Sequence, residues 1–374
     1  MKKIIILIIM LIPINVFALA ENAKSSVLIE YDTGKVLFEK DSNLELPMAS
    51  MTKMMTLYIL MNKLDSGNVH LEDEVLISKN AANMGGSQVY LEEGSKVKLE
   101  TLLKAVAVAS ANDAAVAIAE YISGSEQDFV KLMNETALSF NLKHTNFKNV
   151  HGLDEEGHYS SAYDMATIAR HLIEYDDILK YSSIYEDYII HPNGTSTWIV
   201  NTNKLINYYK GLDGLKTGYT NQSGYCITAT AKRDDIRLIS VVMGEENNNI
   251  RNEETIALLN YGFSNYKKET ILKKGDIVGN IPIKFSNQEN SNIILMDDVI
   301  EVVPNSENNK YNYEIKLGDI NAPINNGNVV GTLLFYKNDN FIRSYNLTVE
   351  NDVKKGNILT LFRRNINKFL VGIV

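Results

Sequence analysis

The sequence predicts an α/β fold: an antiparallel sheet flanked by helices, with an inserted helical subdomain, followed by a small all-β domain and a C-terminal amphipathic helix. Three observations carry that prediction. Strand pairs read as hairpins at 26–40 and 224–243, helical periodicity dominates between Leu99 and Tyr175, and after Tyr266 apolar and polar residues alternate between Asn and Gly turns. At 374 residues the chain exceeds what one core usually organises, so two folded domains are expected. With 45% hydrophobic and 22% charged residues, it has the composition of a globular protein, not a disordered one.

Residues 1–20 read as an export signal. Lys2 and Lys3 precede the apolar run Ile4 to Ile12, and Ala18-Leu19-Ala20 is a small-x-small cleavage site before Glu21. Pro13 and Asn15 break the run before it reaches spanning length, which argues against a membrane anchor there. The single cysteine, Cys226, lies in an alternating strand pattern and reads as a buried structural thiol, so the core alone must stabilise the chain.

The domain expected at 21–266 opens with Val27-Leu28-Ile29-Glu30-Tyr31, a turn at Asp32-Thr33-Gly34, and Lys35-Val36-Leu37-Phe38-Glu39. Next comes Pro47-Met48-Ala49-Ser50-Met51-Thr52-Lys53, heading an apolar run that reads as a buried helix. Three residues apart, Ser50 and Lys53 share one helical face, so the amine can reach the hydroxyl. A lysine within a Met/Leu face is costly to keep charged, and desolvation lowers its pKa toward that of a general base. The unpaired N–H groups of a helix start beside Ser50 can hold an oxyanion.

Leu102, Leu103, Val106 and Val108 mark one helix, Ala114 to Ile122 a second, Phe129 to Phe140 a third and Met165 to Tyr175 a fourth. Between the first two lies Ser110-Ala111-Asn112-Asp113. It reads either as a helix cap or as a polar wall, with a hydroxyl to relay protons and an amide to hold a peptide group. Further on, Lys216-Thr217-Gly218 is expected on a strand bordering the cleft. There Lys216 offers a cation for an anionic group, Thr217 a hydroxyl, and Gly218 room for a ligand backbone. Arg251, at the start of a helix over 250–263, is either a solvated surface arginine or a cation with a task beyond helix stability, since it opposes the dipole.

The all-β domain is expected at 267–352, with buried strands at Ile293-Ile294-Leu295-Met296 and Val329 to Phe335. The tail, 353–374, carries Lys354, Lys355, Arg363, Arg364 and Lys368 without an acid, whereas the whole chain is −9. An acidic body argues against nucleic acid, and a basic tail argues for an anionic surface. Ile358, Phe362, Ile366, Phe369, Leu370 and Ile373 recur at helical spacing opposite Arg363, Arg364, Asn367 and Lys368. At about 1.5 Å per residue this helix is too short and too polar to span a bilayer and should lie in the interface.

Ser50-Met51-Thr52-Lys53, Ser110-Ala111-Asn112 and Lys216-Thr217-Gly218 together form the motif triple of penicillin-binding proteins and class A β-lactamases, with Ala111 where Asp is usual. The chain resembles the low-molecular-mass penicillin-binding proteins that act as serine D-alanyl-D-alanine carboxypeptidases. The similarity extends through Gly152-Leu153, His158 to Asp164, Asp213 to Gly218, the β-domain and the basic tail. It implies a β-lactamase/transpeptidase-like fold and an exported enzyme on the outer face of the cytoplasmic membrane, peripherally anchored. Its partners would be peptidoglycan stem peptides ending in D-Ala-D-Ala, β-lactams and the anionic membrane surface. No metal, cofactor or nucleic acid is expected. Ser50 would be the nucleophile, Lys53 its base and Ser110 a proton relay to the leaving amine. Asn112 would hold the substrate amide, and Lys216, Thr217 and Arg251 the terminal carboxylate. The N–H groups of Ser50 and Tyr219 would form the oxyanion hole.

Two alternatives are weighed against this. A class A β-lactamase resembles its relatives in a Glu followed four residues later by Asn, and no glutamate between Asp113 and Leu215 has that partner. A metallopeptidase would have to use His151, His158 and Asp164, which lack the helical two-histidine spacing of zinc peptidases.

Overall fold

The computed structural model describes residues 19–371. The expected export signal lies outside them except for its last two residues, as does Ile373. The side chains of Arg364, Asn367, Lys368, Phe369 and Leu370 also lie outside what is described. Between Gly262 and Phe263 the chain divides into two compact units.

The first unit begins with the hairpin β1 (Ser25–Glu30) and β2 (Val36–Lys40). After a 3-10 turn at Ala49–Thr52 come α1 (Lys53–Asp65), β3 (Glu74–Leu76), α2 (Lys79–Ala82), β4 (Lys96–Lys98) and α3 (Leu99–Lys104). Then follow α4 (Asn112–Ser123), α5 (Glu126–Ser139), α6 (Ala162–Leu172), α7 (Asp177–Ser182) and the hairpin β5 (Glu186–Ile190) with β6 (Ser196–Val200). The unit closes with β7 (Leu212–Thr220), β8 (Gly224–Arg233), β9 (Ile236–Glu245) and α8 (Asn248–Asn265). The main sheet has the order β2-β1-β9-β8-β7, antiparallel throughout, so β7 is an edge strand.

Strand β1 shows how this sheet is held. Val27 and Ile29 join the core shared with the helices, while Leu28 faces α8: a Cβ on Gly262 would lie 2.9 Å from its Cδ2 and 2.5 Å from Leu238 Cδ1. Both faces are covered, so all six residues are buried and the strand does not alternate. Helix α1 is apolar around its circumference, with Met54, Met55, Leu57, Ile59 and Leu60 all buried, as a helix through the middle of a core must be.

Two local predictions are corrected. The helix expected to begin at Ser50 begins at Lys53, because Ala49 has a left-handed φ of 47° and the chain enters through a tighter turn. The helix expected to run through Val108 is α-helical only to Lys104. Ala105–Ala109 widen into a π turn that ends at Ser110 with φ 61°, and the Ala111 N–H bonds back to Ala105 O. Helix α7 and the β5–β6 hairpin are elements that the sequence reading did not name.

The second unit is all-β up to its tail. Strand β10 (Tyr266–Leu272) pairs with β13 (Val299–Pro304), and β11 (Ile277–Pro282), β12 (Asn290–Leu295), β14 (Tyr311–Leu317), β15 (Gly331–Lys337) and β16 (Asn340–Val349) form a sheet in the order β11-β12-β16-β15-β14. Ile293, Leu295, Leu333, Phe335, Leu347 and Val349 supply its core. The chain ends in α9 (Ile358–Val371), where Ile358, Leu359, Phe362 and Ile366 are exposed. No helix among the described residues is long and apolar enough to cross a membrane.

Candidate active site

The turn that carries Ser50 is clasped from two sides. Gly152, at φ 90°, lies so close that a Cβ there would sit 1.9 Å from Ala49 O, and a Cβ on Gly218 would sit 2.8 Å from Met48 O and 3.0 Å from Ser50 N. On the side where a Cβ would point, Gly218 admits the protein's own Ser50 turn against β7. Only glycine fits either position without displacing that turn.

Lys53 is fully buried beneath it. Its Nζ lies 3.0 Å from Ser50 Oγ, 2.6 Å from Asn112 Oδ1 and 2.6 Å from the His151 carbonyl oxygen. The last two can only accept here, since Asn112 turns its Nδ2 to Gly85 O at 2.7 Å. A neutral amine has two N–H groups for those two oxygens and one lone pair, which is left for the Ser50 hydroxyl. Burial, and then the charge of Lys216, push the Lys53 ammonium well below the ordinary lysine value, against the pull of the Asp113 carboxylate.

The cap reading of Ser110 to Asp113 is not what the structure shows. Helix α4 has Ala111 at its N-cap and no side-chain cap bond, so the stretch is not a cap in the usual sense. The π turn and the left-handed Ser110 bury its Oγ, which has no hydrogen-bond partner among the described residues. Asp113 instead accepts from the N–H groups of Val89, Leu91 and Ala114, fixing the 89–91 loop beside the site.

On β7, Lys216 is buried, its Nζ donating to Thr217 O at 3.1 Å. Burial and the Arg251 charge bring its pKa down to about 7. Arg251 is buried as well, so it is not a solvated surface arginine, and its guanidinium donates to Asn252 Oδ1 at 2.8 Å. Thr217 is buried, whereas Tyr219 is half-exposed and packs against Tyr225 with ring centroids 4.3 Å apart. Cys226 is buried and burial pushes its thiol up to about 11, as befits a structural thiol.

Sequence reasoning missed the residues that support this constellation. Asn149 Oδ1 accepts from the Gly152 N–H at 2.7 Å, and its Nδ2 donates to Leu153 O at 3.0 Å, which shapes the turn presenting the His151 carbonyl. Both rings considered for metal binding have protein partners: His151 Nδ1 accepts from the Leu153 N–H, and His158 lies between the Lys148 N–H and Thr52 Oγ1. Asp164 accepts from the His144 N–H and the Thr145 hydroxyl. Among the described residues no three His, Cys, Asp or Glu side chains are placed to hold a metal ion.

A family model described as D-alanyl-D-alanine carboxypeptidase matches residues 15–247, and one described as the C-terminal domain of penicillin-binding protein 5 matches 266–355. The D-alanyl-D-alanine carboxypeptidase DacF of Bacillus subtilis is 43% identical over 350 residues, spanning 93% of this chain and 90% of its own length. Penicillin-binding protein 5 of Haemophilus influenzae superposes with a TM-score of 0.77 at 33% identity, covering 89% of this chain and 98% of that one. A penicillin-binding protein of Listeria monocytogenes, solved in an ampicillin-bound form, matches with a TM-score of 0.58 at 27% identity over 65% of this chain and 98% of that one. These matches do not favour the β-lactamase alternative. With a family model matched over most of the chain and a relative 43% identical over 93% of it, the protein belongs to the D-alanyl-D-alanine carboxypeptidase family of serine peptidases.

Proposed function

We propose that Ser50 carries the acyl group when this enzyme removes the terminal D-Ala from peptidoglycan stem peptides. The observation that supports it most is Lys53 Nζ at 3.0 Å from Ser50 Oγ with two other oxygens to occupy its N–H groups. Lys53 takes the hydroxyl proton as Ser50 Oγ attacks the penultimate D-Ala carbonyl carbon, and the N–H groups of Ser50 and Tyr219 receive the oxyanion. When the C–N bond breaks, the proton passes from Lys53 to the leaving amine through the Ser110 hydroxyl, which has no partner among the described residues and turns toward Lys53 for this step, and D-Ala departs. Water, deprotonated by Lys53, then hydrolyses the ester on Ser50.

Lys216, Thr217 and Arg251 bind the terminal carboxylate. Asn112 holds Lys53 with its oxygen and keeps, by count, one N–H for a substrate carbonyl. Gly218 serves by letting β7 approach the nucleophile turn. By its likeness to the ampicillin-bound relative, the enzyme is acylated by β-lactams at Ser50. We place it outside the cytoplasm, with α9 resting on an anionic membrane surface and the domains divided near residues 266 and 352.

A fluorescent penicillin tests this. Wild type should label and Ser50→Ala should not, and wild type should release free D-Ala from a synthetic pentapeptide. Equal labelling of Ser50→Ala, or none of the wild type, would overturn the assignment.

A further inference from the structure

We propose that Thr52 and His158 are positioning residues that aim the Ser50 N–H at the developing oxyanion by gripping the Ala49 carbonyl on the far side of their shared peptide. The proposal rests on the reading above, in which Ser50 is the nucleophile and its own N–H an oxyanion donor.

In a planar trans peptide the C=O and N–H point in opposite directions, so whatever fixes the oxygen aims the hydrogen. The bond between Ala49 and Ser50 is not one of the cis peptides in the chain. Thr52 Oγ1 donates to Ala49 O at 2.8 Å and lies 2.8 Å from His158 Nε2. The direction of this chain is set from its far end. The Lys148 backbone N–H, which can only donate, reaches His158 Nδ1 at 3.0 Å. The imidazole hydrogen is therefore on Nε2, it is donated to Thr52 Oγ1, and the hydroxyl proton is left for Ala49 O.

Three further facts support a dedicated role. Burial lowers the His158 pKa to about 4, so a single neutral tautomer persists through the neutral range. Thr52, although it stands at the N-cap of α1, makes no side-chain cap bond, so its hydroxyl does not serve the helix. Ala49 has the left-handed φ of 47° that a residue with a Cβ seldom adopts, and it needs an outside grip to stay there. Gly152 packs against the same carbonyl. Ser50 is the second residue of the 3-10 turn, where N–H groups lack a partner within the helix, and outside the helices and strands no backbone carbonyl among the described residues accepts from its N–H.

The test uses full-length protein and the variants Thr52→Val, Thr52→Ser and His158→Phe, the last of which keeps an aromatic ring beside Phe147 but offers no N–H. Fluorescent-penicillin kinetics separate the initial dissociation constant from the acylation rate constant, and infrared spectroscopy reads the ester carbonyl stretch of the acyl-enzyme. For Thr52→Val the acylation rate constant should fall about 10- to 100-fold, less than the loss of a whole oxyanion donor, with initial binding unchanged. Its ester stretch should move to higher frequency as hydrogen bonding to the carbonyl weakens. Thr52→Ser should restore both, and His158→Phe should fall between.

A wild-type rate or an unshifted stretch in Thr52→Val overturns the proposal, as does Thr52→Ser behaving like Thr52→Val. If Thr52→Val does not fold, His158→Phe decides: a wild-type rate with an unshifted stretch overturns it. Failure of the wild type to label, by contrast, would strike the nucleophile assignment itself.

Discussion

Two buried lysines, one on the Ser50 turn and one two residues before the Gly218 that packs on it, have different neighbours. Lys53 is fully buried with a second cation nearby, which lowers its pKa as a neutral base requires, and its two N–H groups have acceptors at 2.6 Å. Lys216 has one carbonyl at 3.1 Å and a pKa near 7, so in the free enzyme its charge is lost as pH rises through that value. An incoming carboxylate favours the charged form and raises that pKa, so above pH 7 binding must be coupled to proton uptake. The KM for a peptide with a free terminal carboxylate should therefore rise with pH above about 7, while Arg251, with a pKa of about 10, limits the rise. A substrate whose end is amidated should show no such limb; matching pH profiles for the two would refute the account. That Lys53 can reach Ser50 was legible from their three-residue spacing, and the structure brings Asn112 to the same amine. The His151 carbonyl was not legible, since every residue has a carbonyl, and Thr52–His158 spans 106 positions of chain.

At the scale of elements, the hairpins and most helices were legible from period alone, because each has one face to bury. The π turn was not: Ala105-Val106-Ala107-Val108-Ala109 reads as more of the same helix, and only the fold shows that it must widen to bury Ser110. The β5–β6 hairpin was missed although Pro192-Asn193-Gly194 marks its turn, because Tyr188, Ile190 and Trp198 are exposed where burial would be expected of such residues. The 149–153 turn acts as one wall of the nucleophile turn, and Gly152 is where the two meet. Gly152→Ala adds a Cβ 1.9 Å from Ala49 O at a φ that alanine resists, so the Ser50 turn must move. A displacement near 1 Å should slow acylation about 100-fold, read by penicillin labelling. A labelling rate equal to wild type would show that the turn is free to relax.

Over the whole molecule, the acidic chain ends in a basic stretch, and α9 exposes Ile358, Leu359, Phe362 and Ile366 while carrying Arg363. Such a helix binds by burying its apolar face while its cations meet anionic headgroups. Protein lacking residues 355–374 should stay in the supernatant when anionic vesicles are sedimented, with penicillin labelling intact; sedimentation equal to full-length protein would remove α9 from the account. The break between the two units falls between Gly262 and Phe263, a few residues before the change of composition after Tyr266. One consequence follows from how Lys53 is held. Its two short partners come from 59 and 98 positions further along the chain. Until those segments have come together, residue 53 bears an ordinary solvated ammonium and the neighbouring alcohol is as inert as any other serine. If Ser50 is the nucleophile, its reactivity is acquired only on completion of the tertiary structure.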